Sequence, residues 1–205
     1  MGWLDGQEQA RRQRFAYDGP RRRFTLCRAA LRAILCEELH CQNEQLAFRA
    51  SRFGKPYALV QDQPASVSFN VSHSGNHGLV ACAPTGRLGV DIEERDPRRD
   101  LSLLIDTVLG PEEKTALALT QGQARTHLFF KLWTLKEAVL KALGEGFVLD
   151  ATCIRIPAAT VGGRESGMLQ LPRLPEVTWQ IEDLGNQEFA AAVAIELSGV
   201  SARKD

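Results

Sequence analysis

The chain has 205 residues, 44% of them hydrophobic, so it can bury a substantial core as one domain or as two small halves. Its 25 acidic and 25 basic residues balance, which gives no electrostatic reason to expect nucleic acid or a membrane surface as a partner. No apolar run approaches the ~20 residues of a membrane span, and no secretory signal is recognisable. We therefore expect a soluble, cytoplasmic protein with reduced cysteines.

The N-terminal part of the chain is predicted to hold one long helix and then five short strands. Within residues 21–39 the apolar residues recur at helical intervals. Short β-type runs broken by Gly, Pro, Asn and Asp follow at residues 46–51, 54–60, 66–74, 78–84 and 88–93. Residues 1–32 hold eight arginines against three acids, which indicates either a solvated helix face or an anion site, such as one for phosphate.

The C-terminal part is predicted to hold three helices and then four strands. The helices are expected over residues 101–109, 111–120 and 124–144, with Pro111 in a first turn and Gly144 as a C-terminal cap. The strands are expected at residues 152–157, 168–172, 177–184 and 188–197. The stretch from Pro157 to Pro175 is expected to be mostly loop.

A weak internal repeat indicates a duplicated α+β unit. Residues 67–83, VSFNVSHSGNHGLVACA, align without a gap on residues 177–193, VTWQIEDLGNQEFAAAV. Each segment predicts a strand, a turn at Gly-Asn and a second strand, and a long helix precedes it. We therefore predict two similar halves, residues 1–97 and 98–205, which meet near the end of the first half.

Asp91 and Glu93 end a predicted strand on the same face, because side chains at i and i+2 of a strand point the same way. Two neighbouring carboxylates on a half-buried sheet repel each other. Protonation of one partner, a divalent cation, or pairing with Arg95, Arg98 or Arg99 would relieve that repulsion. Mg²⁺ would also need a further carboxylate and phosphate-binding groups elsewhere in the chain.

Glu137 and Lys141 are the best candidates for those further groups. They follow Trp133 at intervals of four residues on the helix predicted over residues 124–144. Beside them runs an apolar stripe of Leu128, Leu132, Leu135, Val139 and Ala142. A surface Glu–Lys pair at this spacing would contribute only about 0.3–0.5 kcal/mol. A helix flanked by apolar residues should instead bury the pair in part, where Glu137 could bind a metal and Lys141 a phosphate.

Ser72, His73 and Ser74 end a predicted strand before a glycine turn, whose N–H groups could face an anion. The alternative is an ordinary hairpin with polar residues at its tip. Ser72 and His73 should point to opposite faces of the strand, so they cannot form a nucleophilic pair. The absence of G-x-S-x-G and HExxH argues against a hydrolase or a zinc protease.

Four segments, in this order, resemble the Sfp-type 4′-phosphopantetheinyl transferases. They are FGKPY at residues 53–57, FNVSHSG at 69–75, GVDIE at 89–93 and WTLKEAVLKALGEG at 133–146. The resemblance spans most of the chain, and the combination is far more specific than any one segment. It implies an α+β pseudo-dimer of two similar halves, with the active site at their junction. It also implies transfer of the 4′-phosphopantetheine group of coenzyme A to a serine of an apo carrier protein, with release of 3′,5′-ADP.

The resemblance further implies roles for individual residues. The metal ligands would be Asp91, Glu93 and Glu137, holding Mg²⁺. The catalytic groups would be Glu137, Lys141 and Asp91, with either Glu137 or a metal-bound water as general base. The coenzyme A contacts would be Arg23, Lys55, Ser72, His73 and Lys141, with Arg11 or Arg14 assisting.

The implied partners are coenzyme A and an acidic apo carrier protein, and the enzyme is expected to be a monomer that binds neither nucleic acid nor membranes. The class of carrier (acyl, peptidyl or polyketide) and the choice between free and acylated coenzyme A stay open. A catalytically silent coenzyme A-binding or nucleotide-binding protein is the alternative, and it would not need all three carboxylates. A plain α+β interaction domain would leave the acid pair unexplained.

The segment after the acid pair is predicted to contact the carrier protein. It combines three arginines with four apolar residues: Arg95, Arg98, Arg99, Leu103, Leu104, Ile105 and Val108. At least one of these apolar side chains should face a partner. The alternative is that the arginines only balance the neighbouring acids Glu93, Glu94, Asp96 and Asp100.

Overall fold

A computed structural model describes residues 2–96, 98–144 and 149–197. Its helices are α1 (Gly6–Gln13), α2 (Asp18–Glu38), α3 (Ser102–Val108), α4 (Pro111–Ala118), α5 (Gly122–Leu143) and α6 (Ala158–Val161). Its strands are β1 (Leu46–Ala50), β2 (Pro56–Val60), β3 (Gln63–Pro64), β4 (Ser68–Ser74), β5 (His77–Ala83), β6 (Leu88–Glu94), β7 (Ser166–Leu171), β8 (Leu174–Asp183) and β9 (Phe189–Leu197). Short 3-10 turns cover Asn43–Gln45 and Ala151–Cys153.

Within the described ranges the strands form three antiparallel sheets, in the orders β1-β2-β3, β4-β5 and β6-β9-β8-β7. Helix α2 packs on β4 and β5, and helix α5 packs on β6, β8 and β9. Each half therefore sets one long helix against an antiparallel hairpin, so the predicted α+β fold with two similar halves is confirmed. None of the described helices is both long and apolar enough to cross a bilayer.

Strand β6 joins the two halves. It pairs along its whole length with β9, from Leu88 opposite Ile195 to Glu94 opposite Phe189. The division at residue 97 stays a prediction, because β6 precedes it in sequence while the other strands of its sheet follow it. The acidic strand thus lies where the halves meet.

Helix α5 forms the centre of the C-terminal core. Leu132, Leu135, Val139 and Ala142 are fully buried, as their spacing predicts. The helix ends at Gly144, whose φ of 68° is left-handed, and this confirms the predicted C-terminal cap.

A glycine lets α5 approach β6 closely. A Cβ atom on Gly89 would collide with the backbone of Ala138 and Ala142 in the helix, so any larger residue would push helix and strand apart. Asp91 and Glu93 follow Gly89 at intervals of two residues and share its face of the strand. The acid pair is therefore directed toward α5.

The strand predicted over residues 152–157 is wrong. A 3-10 turn occupies Ala151–Cys153, and the segment that follows pairs with no strand of the described residues. The N–H of Ile156 instead donates to Glu113 Oε1 at 3.2 Å, and Glu113 pairs with the fully buried Lys136 at 2.5 Å. The alternation of Ile154 and Ile156 reflects burial of both side chains without sheet formation.

Two short helices were not anticipated, and the stretch expected to be mostly loop holds α6 and β7 as well as the start of β8. Helix α1 begins at a capping box in which Asp5 accepts from the Glu8 N–H and Glu8 accepts from the Asp5 N–H. The D-x-x-E pattern is a sequence signal for a helix N-terminus. It could have predicted α1.

Candidate active site

Strands β4 and β6 lie side by side, and side chains of β4 bond the facing edge of β6. We call this contact the seam. Three polar side chains at alternate positions of β4 accept from three backbone N–H groups at alternate positions of β6. The hydrogen bonds run from Val90 N to Asn70 Oδ1 (2.9 Å), from Ile92 N to Ser72 Oγ (3.3 Å) and from Glu94 N to Ser74 Oγ (3.1 Å).

Asp91 is the most deeply buried acid of the predicted site, with 3% of its surface exposed. Its Oδ1 atom accepts from Ser72 Oγ at 2.9 Å and from Lys141 Nζ at 2.6 Å. Its Oδ2 atom is buried and has no hydrogen-bond partner among the described residues. A buried carboxylate oxygen without a donor is costly, so Oδ2 is available to a ligand.

Glu93 is held by two groups. Its Oε2 atom accepts from Ser74 Oγ at 2.9 Å and lies 3.5 Å from a guanidinium nitrogen of Arg99. That guanidinium also stacks over the Trp133 ring, 4.5 Å from its centroid. Burial raises the pKa of Glu93, and the charge of Asp91 raises it further.

Glu137 faces the acid pair from α5. It forms no hydrogen bond or ion pair with any residue in the described ranges. The surface pair with Lys141, which was the alternative to a buried site, is absent there, and Lys141 contacts Asp91 instead. Burial raises the pKa of Glu137, and the charge of Asp91 raises it further. The helix therefore supplies both a cation and a third carboxylate to the acidic strand.

The donor set fits a divalent cation in charge and chemistry. Asp91, Glu93 and Glu137 are oxygen donors, and the charge of Asp91 raises the pKa of both glutamates, which is the repulsion that a hard cation relieves. In the arrangement shown, no three acidic, histidine or cysteine side chains of residues 2–96, 98–144 and 149–197 converge closely enough to hold a metal. Lys141 and Arg99 bond two of the carboxylates instead. The Mg²⁺ site stays a prediction.

Lys55 connects the two halves. Its Nζ atom donates to the carbonyl oxygens of Leu88 on β6 (3.1 Å) and Ala142 on α5 (2.7 Å). Burial lowers the pKa of Lys55 to about 8, and the charge of Arg87 contributes. Its predicted contact with coenzyme A stays a prediction, and the structure adds a role as a bridge between the halves.

Ser72 and His73 point to opposite faces of β4, as predicted, since Ser72 is buried and His73 is exposed. His73 lies among cations. Burial of part of the imidazole lowers its pKa, and the charges of Arg23, Lys141 and Arg11 lower it further. A group of positive side chains around one histidine is an environment that favours an anion.

Arg23 binds the turn that follows β4. Its guanidinium donates to the carbonyl oxygen of Gly75. It lines a cleft of about 780 Å³ together with Asn76 and His77. The structure thus brings Arg23 and His73 to the same end of the β4–β5 hairpin.

The N-terminal arginines divide into structural and cleft-lining groups. Arg32 is fully buried and pairs with Glu8 at 2.6 Å, so it is not part of a solvated face. Arg11, Arg14, Arg28 and Arg49 line a cleft of about 1300 Å³, which we call the basic cleft.

A smaller cavity of about 180 Å³ continues from the basic cleft to His73. Arg11 and Arg28 line both spaces. The structure therefore connects the arginine-lined surface of the N-terminal helices with the histidine of β4.

Sequence reasoning missed Asn70 as part of the site, and it placed Ser74 beside a possible anion site instead of next to Glu93. Arg99, one of three arginines named as possible partners of the acids, does pair with Glu93. Asn70, Ser72 and Ser74 are three polar residues at alternate positions of one strand. Such alternation is ordinary for a strand with one solvated face, so it gave no reason to expect that these side chains bond a neighbouring strand.

Comparison with known proteins places both halves in one family. A model described as the 4′-phosphopantetheinyl transferase superfamily matches residues 87–194, and a model described as the N-terminal part of 4′-phosphopantetheinyl transferase matches residues 1–85. A putative 4′-phosphopantetheinyl transferase of Synechocystis is 40% identical over 143 residues, covering 70% of this chain and 58% of the relative.

Two further relatives have the same kind of name. HetI, a 4′-phosphopantetheinyl transferase of Nostoc, is 37% identical over 143 residues, covering 70% of this chain and 60% of its own length. Sfp, a 4′-phosphopantetheinyl transferase of Bacillus subtilis, is 27% identical over 160 residues, covering 76% of this chain and 68% of its own. The chain spans about three fifths of the length of the first two relatives. Because the superfamily model covers more than half of the sequence, including the acidic strand and α5, the chain belongs to the 4′-phosphopantetheinyl transferase superfamily.

Proposed function

We propose that this protein transfers the 4′-phosphopantetheine group of coenzyme A to the serine hydroxyl of an apo carrier protein, releasing 3′,5′-ADP. The observation that carries the proposal is the position of Lys141. Its ammonium bonds Asp91 at 2.6 Å and its charge also acts on His73. An acidic group suited to a metal and a cationic group suited to phosphate thus meet at the contact between the two halves.

The basic cleft supports binding of the nucleotide end of coenzyme A. Coenzyme A is a polyanion, and guanidinium groups are well suited to bind its phosphates. Arg11 and Arg28 line the path from that cleft to His73. We assign His73 and Arg23 to coenzyme A phosphates, and Lys141 to the pyrophosphate that is cleaved.

The reaction replaces one phosphorus–oxygen bond by another. The carrier serine oxygen bonds the phosphorus that bears the pantetheine arm, the bond from that phosphorus to the bridging oxygen breaks, and 3′,5′-ADP leaves with the bonding electrons. A Mg²⁺ ion held by Asp91, Glu93 and Glu137 would neutralise charge on the pyrophosphate. Lys141 would offset the charge that develops on the departing phosphate.

The serine proton needs an acceptor. Glu137 is the candidate with no competing partner among the described residues, and burial raises its pKa, which makes its carboxylate a better base. A water molecule in the site is the alternative acceptor. To act as general base, the carboxylate of Glu137 would have to face the hydroxyl of the carrier serine.

The proposal includes an Sfp-type enzyme that acts as a cytoplasmic monomer on an acidic carrier protein. In the segment after the acidic strand, the exposed cation Arg98 supports an acidic partner. Leu103, which is 81% exposed in the same segment, supports an apolar contact with that partner. The monomeric state, the cytoplasmic location and the halves at residues 1–97 and 98–205 stay predictions of the sequence.

The test is to incubate the protein with coenzyme A, Mg²⁺ and a panel of apo acyl, peptidyl and polyketide carrier proteins, and to weigh each carrier by mass spectrometry. We expect at least one carrier to gain the mass of the phosphopantetheine arm, with 3′,5′-ADP released in equal amount. Chelation of the metal and the Asp91→Asn variant should each abolish the gain. Binding of coenzyme A without transfer to any carrier would support the catalytically silent alternative and refute the proposal.

A further inference from the structure

We propose that Ser72 and Ser74 are positioning residues, which fix the carboxylates of Asp91 and Glu93 for a divalent cation instead of binding coenzyme A. This inference rests on the proposed function in assuming that these carboxylates bind a metal. It goes beyond that function in assigning two serines of β4 to the acidic strand.

The first step is the repeated geometry of the two serines. Each hydroxyl accepts from the N–H that follows a carboxylate residue, and each donates to that carboxylate. Ser72 accepts from Ile92 N at 3.3 Å and donates to Asp91 Oδ1 at 2.9 Å. Ser74 accepts from the next such N–H, that of Glu94, at 3.1 Å, and donates to Glu93 Oε2 at 2.9 Å. The two serines therefore tie backbone and side chain of β6 together at successive positions.

The second step is the hydrogen-bonding capacity of Ser72. A serine hydroxyl has one proton to donate and two lone pairs that accept. Ser72 donates to Asp91 and accepts from Ile92 N and from Lys141 Nζ at 2.9 Å. Its capacity is used in full and only 7% of its surface is exposed. A phosphate contact would break one of these bonds, so Ser72 is poorly placed as a coenzyme ligand.

The third step concerns the carboxylate oxygen of Asp91 that these bonds leave free. Ser72 and Lys141 both bond the Oδ1 atom of Asp91, so the carboxylate cannot turn without losing them. Its Oδ2 atom is buried and has no partner among the described residues. A carboxylate with one oxygen held by the protein and the other open is the arrangement that hydrogen-bonding partners behind metal ligands commonly provide.

Asn70 supplies a matched control on the same strand. Its Oδ1 atom accepts from Val90 N at 2.9 Å, so it makes the same kind of seam bond as the serines. It bonds no carboxylate among the described residues. If the seam bonds are merely structural, replacing Asn70 and replacing Ser72 should change the metal affinity equally. If the serines position the carboxylates, only their replacement should weaken metal binding.

The experiment measures Mn²⁺ affinity by isothermal titration for wild type, Ser72→Ala, Ser74→Ala, Ser72→Thr and Asn70→Ala, and the free energy of unfolding for each. Loss of a group that orients a metal ligand typically weakens metal binding by about 10- to 100-fold. We expect the Mn²⁺ affinity to fall within that range for Ser72→Ala and to fall also for Ser74→Ala. It should stay near the wild-type value for Asn70→Ala and for Ser72→Thr, which keeps the hydroxyl.

The outcomes separate this inference from the proposed function. If wild type binds no Mn²⁺, or if Asn70→Ala weakens Mn²⁺ as much as Ser72→Ala does, the positioning role is refuted. If Ser72→Ala does not fold, the partly exposed Ser74 decides the question, and unchanged affinity in Ser74→Ala refutes the role. If the serine variants lose Mn²⁺ affinity but the wild-type protein modifies no carrier, the inference stands and the proposed transfer fails.

Discussion

Lys141 Nζ lies 2.6 Å from Asp91 Oδ1, so the helix that carries the third carboxylate also neutralises the first. Asp91 is 3% exposed, and a buried charge needs a partner. In the state shown, the ion pair of Lys141 with Asp91 offsets the repulsion between Asp91 and Glu93. A metal bound at Oδ2 of Asp91 would add a second counter-charge, and the third N–H of the ammonium would remain for a phosphate.

Exchange of Lys141 for methionine tests whether a metal can act as the counter-charge of Asp91. The variant Lys141→Met leaves Asp91 without its ammonium, and we expect it to lose about 1–3 kcal/mol of unfolding free energy without metal. Added Mg²⁺ should then stabilise the variant more than it stabilises wild type, as measured by urea denaturation. The control is Lys131→Met, which removes another cation of α5 that pairs with Asp183 at 3.1 Å. Equal stabilisation of wild type and Lys141→Met by Mg²⁺ would place the cation elsewhere.

Glu137→Gln should raise stability while it abolishes transfer. The pKa of Glu137 is raised by burial, so its charge opposes folding above that pKa. Wild-type stability should therefore fall as pH rises from 4.5 through the raised pKa, and the variant should lack this contribution. At neutral pH without metal we expect a gain in Tm of about 2–4 °C by calorimetry for each kcal/mol of relieved repulsion. A variant that is less stable and keeps normal transfer would contradict both roles.

His73→Asn should weaken coenzyme A and remove part of the pH dependence of its binding. The pKa of His73 lies below its ordinary value of 6.5 because of burial and the cations Arg23, Lys141 and Arg11, so the free imidazole is mostly neutral at pH 7. A bound phosphate favours the imidazolium, and affinity should fall as pH rises and that proton is lost.

The size of this effect follows from the strength of a charged hydrogen bond, about 1.5–3 kcal/mol, which corresponds to a roughly 10- to 150-fold increase in Kd at low pH. Calorimetric titration of wild type and His73→Asn over a pH series measures it. Dividing the Kd of the variant by that of wild type at each pH cancels the effect of the ionisation of coenzyme A itself. Parallel curves for the two proteins would show that His73 does not hold a phosphate.

Lys55→Met separates the predicted coenzyme contact from the bridge between the halves. The pKa of Lys55 is lowered to about 8, so between that value and 10.5 the unfolded chain keeps a proton that the folded chain has lost. Wild-type stability should therefore rise with pH across this window, and the rise should be smaller in the variant. Urea denaturation at several pH values measures this slope. An unchanged slope together with a weakened Kd for coenzyme A would favour the coenzyme contact alone.

The sequence predicted the parts of the fold that local rules determine. The apolar spacing of α5, its cap at Gly144 and the turn at Gly75 all follow from helix periodicity and turn chemistry. The pairing of β6 with β9 joins residues about a hundred positions apart, and no local pattern specifies it. The strand predicted over residues 152–157 failed because a carboxylate of Glu113 takes the N–H that a strand would have used.

The candidate site shows the same division. Asp91, Glu93, Glu137 and Lys141 were identified by residue type and spacing, and the structure brings them together. The sequence offered Arg99 as one possible partner of the acids, and Arg99 does pair with Glu93. The bond of Lys141 to Asp91 could not be predicted, because the ammonium of α5 reaches that acid only through the contact of helix and strand. Burial and close approach across the seam depend on the whole fold.

The proposed carrier contact must be narrowed to Arg98 and Leu103. Arg99 pairs with Glu93 at 3.5 Å and stacks on Trp133, so a change there would disturb the site itself. Among the described residues Arg98 pairs only with its partly exposed neighbour Asp96, at 3.0 Å. Of the apolar residues that follow, Val108 is buried and Leu103 is 81% exposed, as a surface for a partner requires.

Leu103→Ser and Arg98→Glu should each lower kcat/KM for the carrier and leave the KM for coenzyme A nearly unchanged. An apolar contact and a cation at the rim of an interface act through association with the partner, and the charge reversal should also flatten the dependence on salt. Steady-state kinetics at low and moderate ionic strength measure both effects. The matched control is Leu119→Ser, since Leu119 is 84% exposed and lies just after α4. If Leu119→Ser impairs carrier kinetics and Leu103→Ser does not, the carrier docks on the segment of α4, and α3 has no part in its recognition.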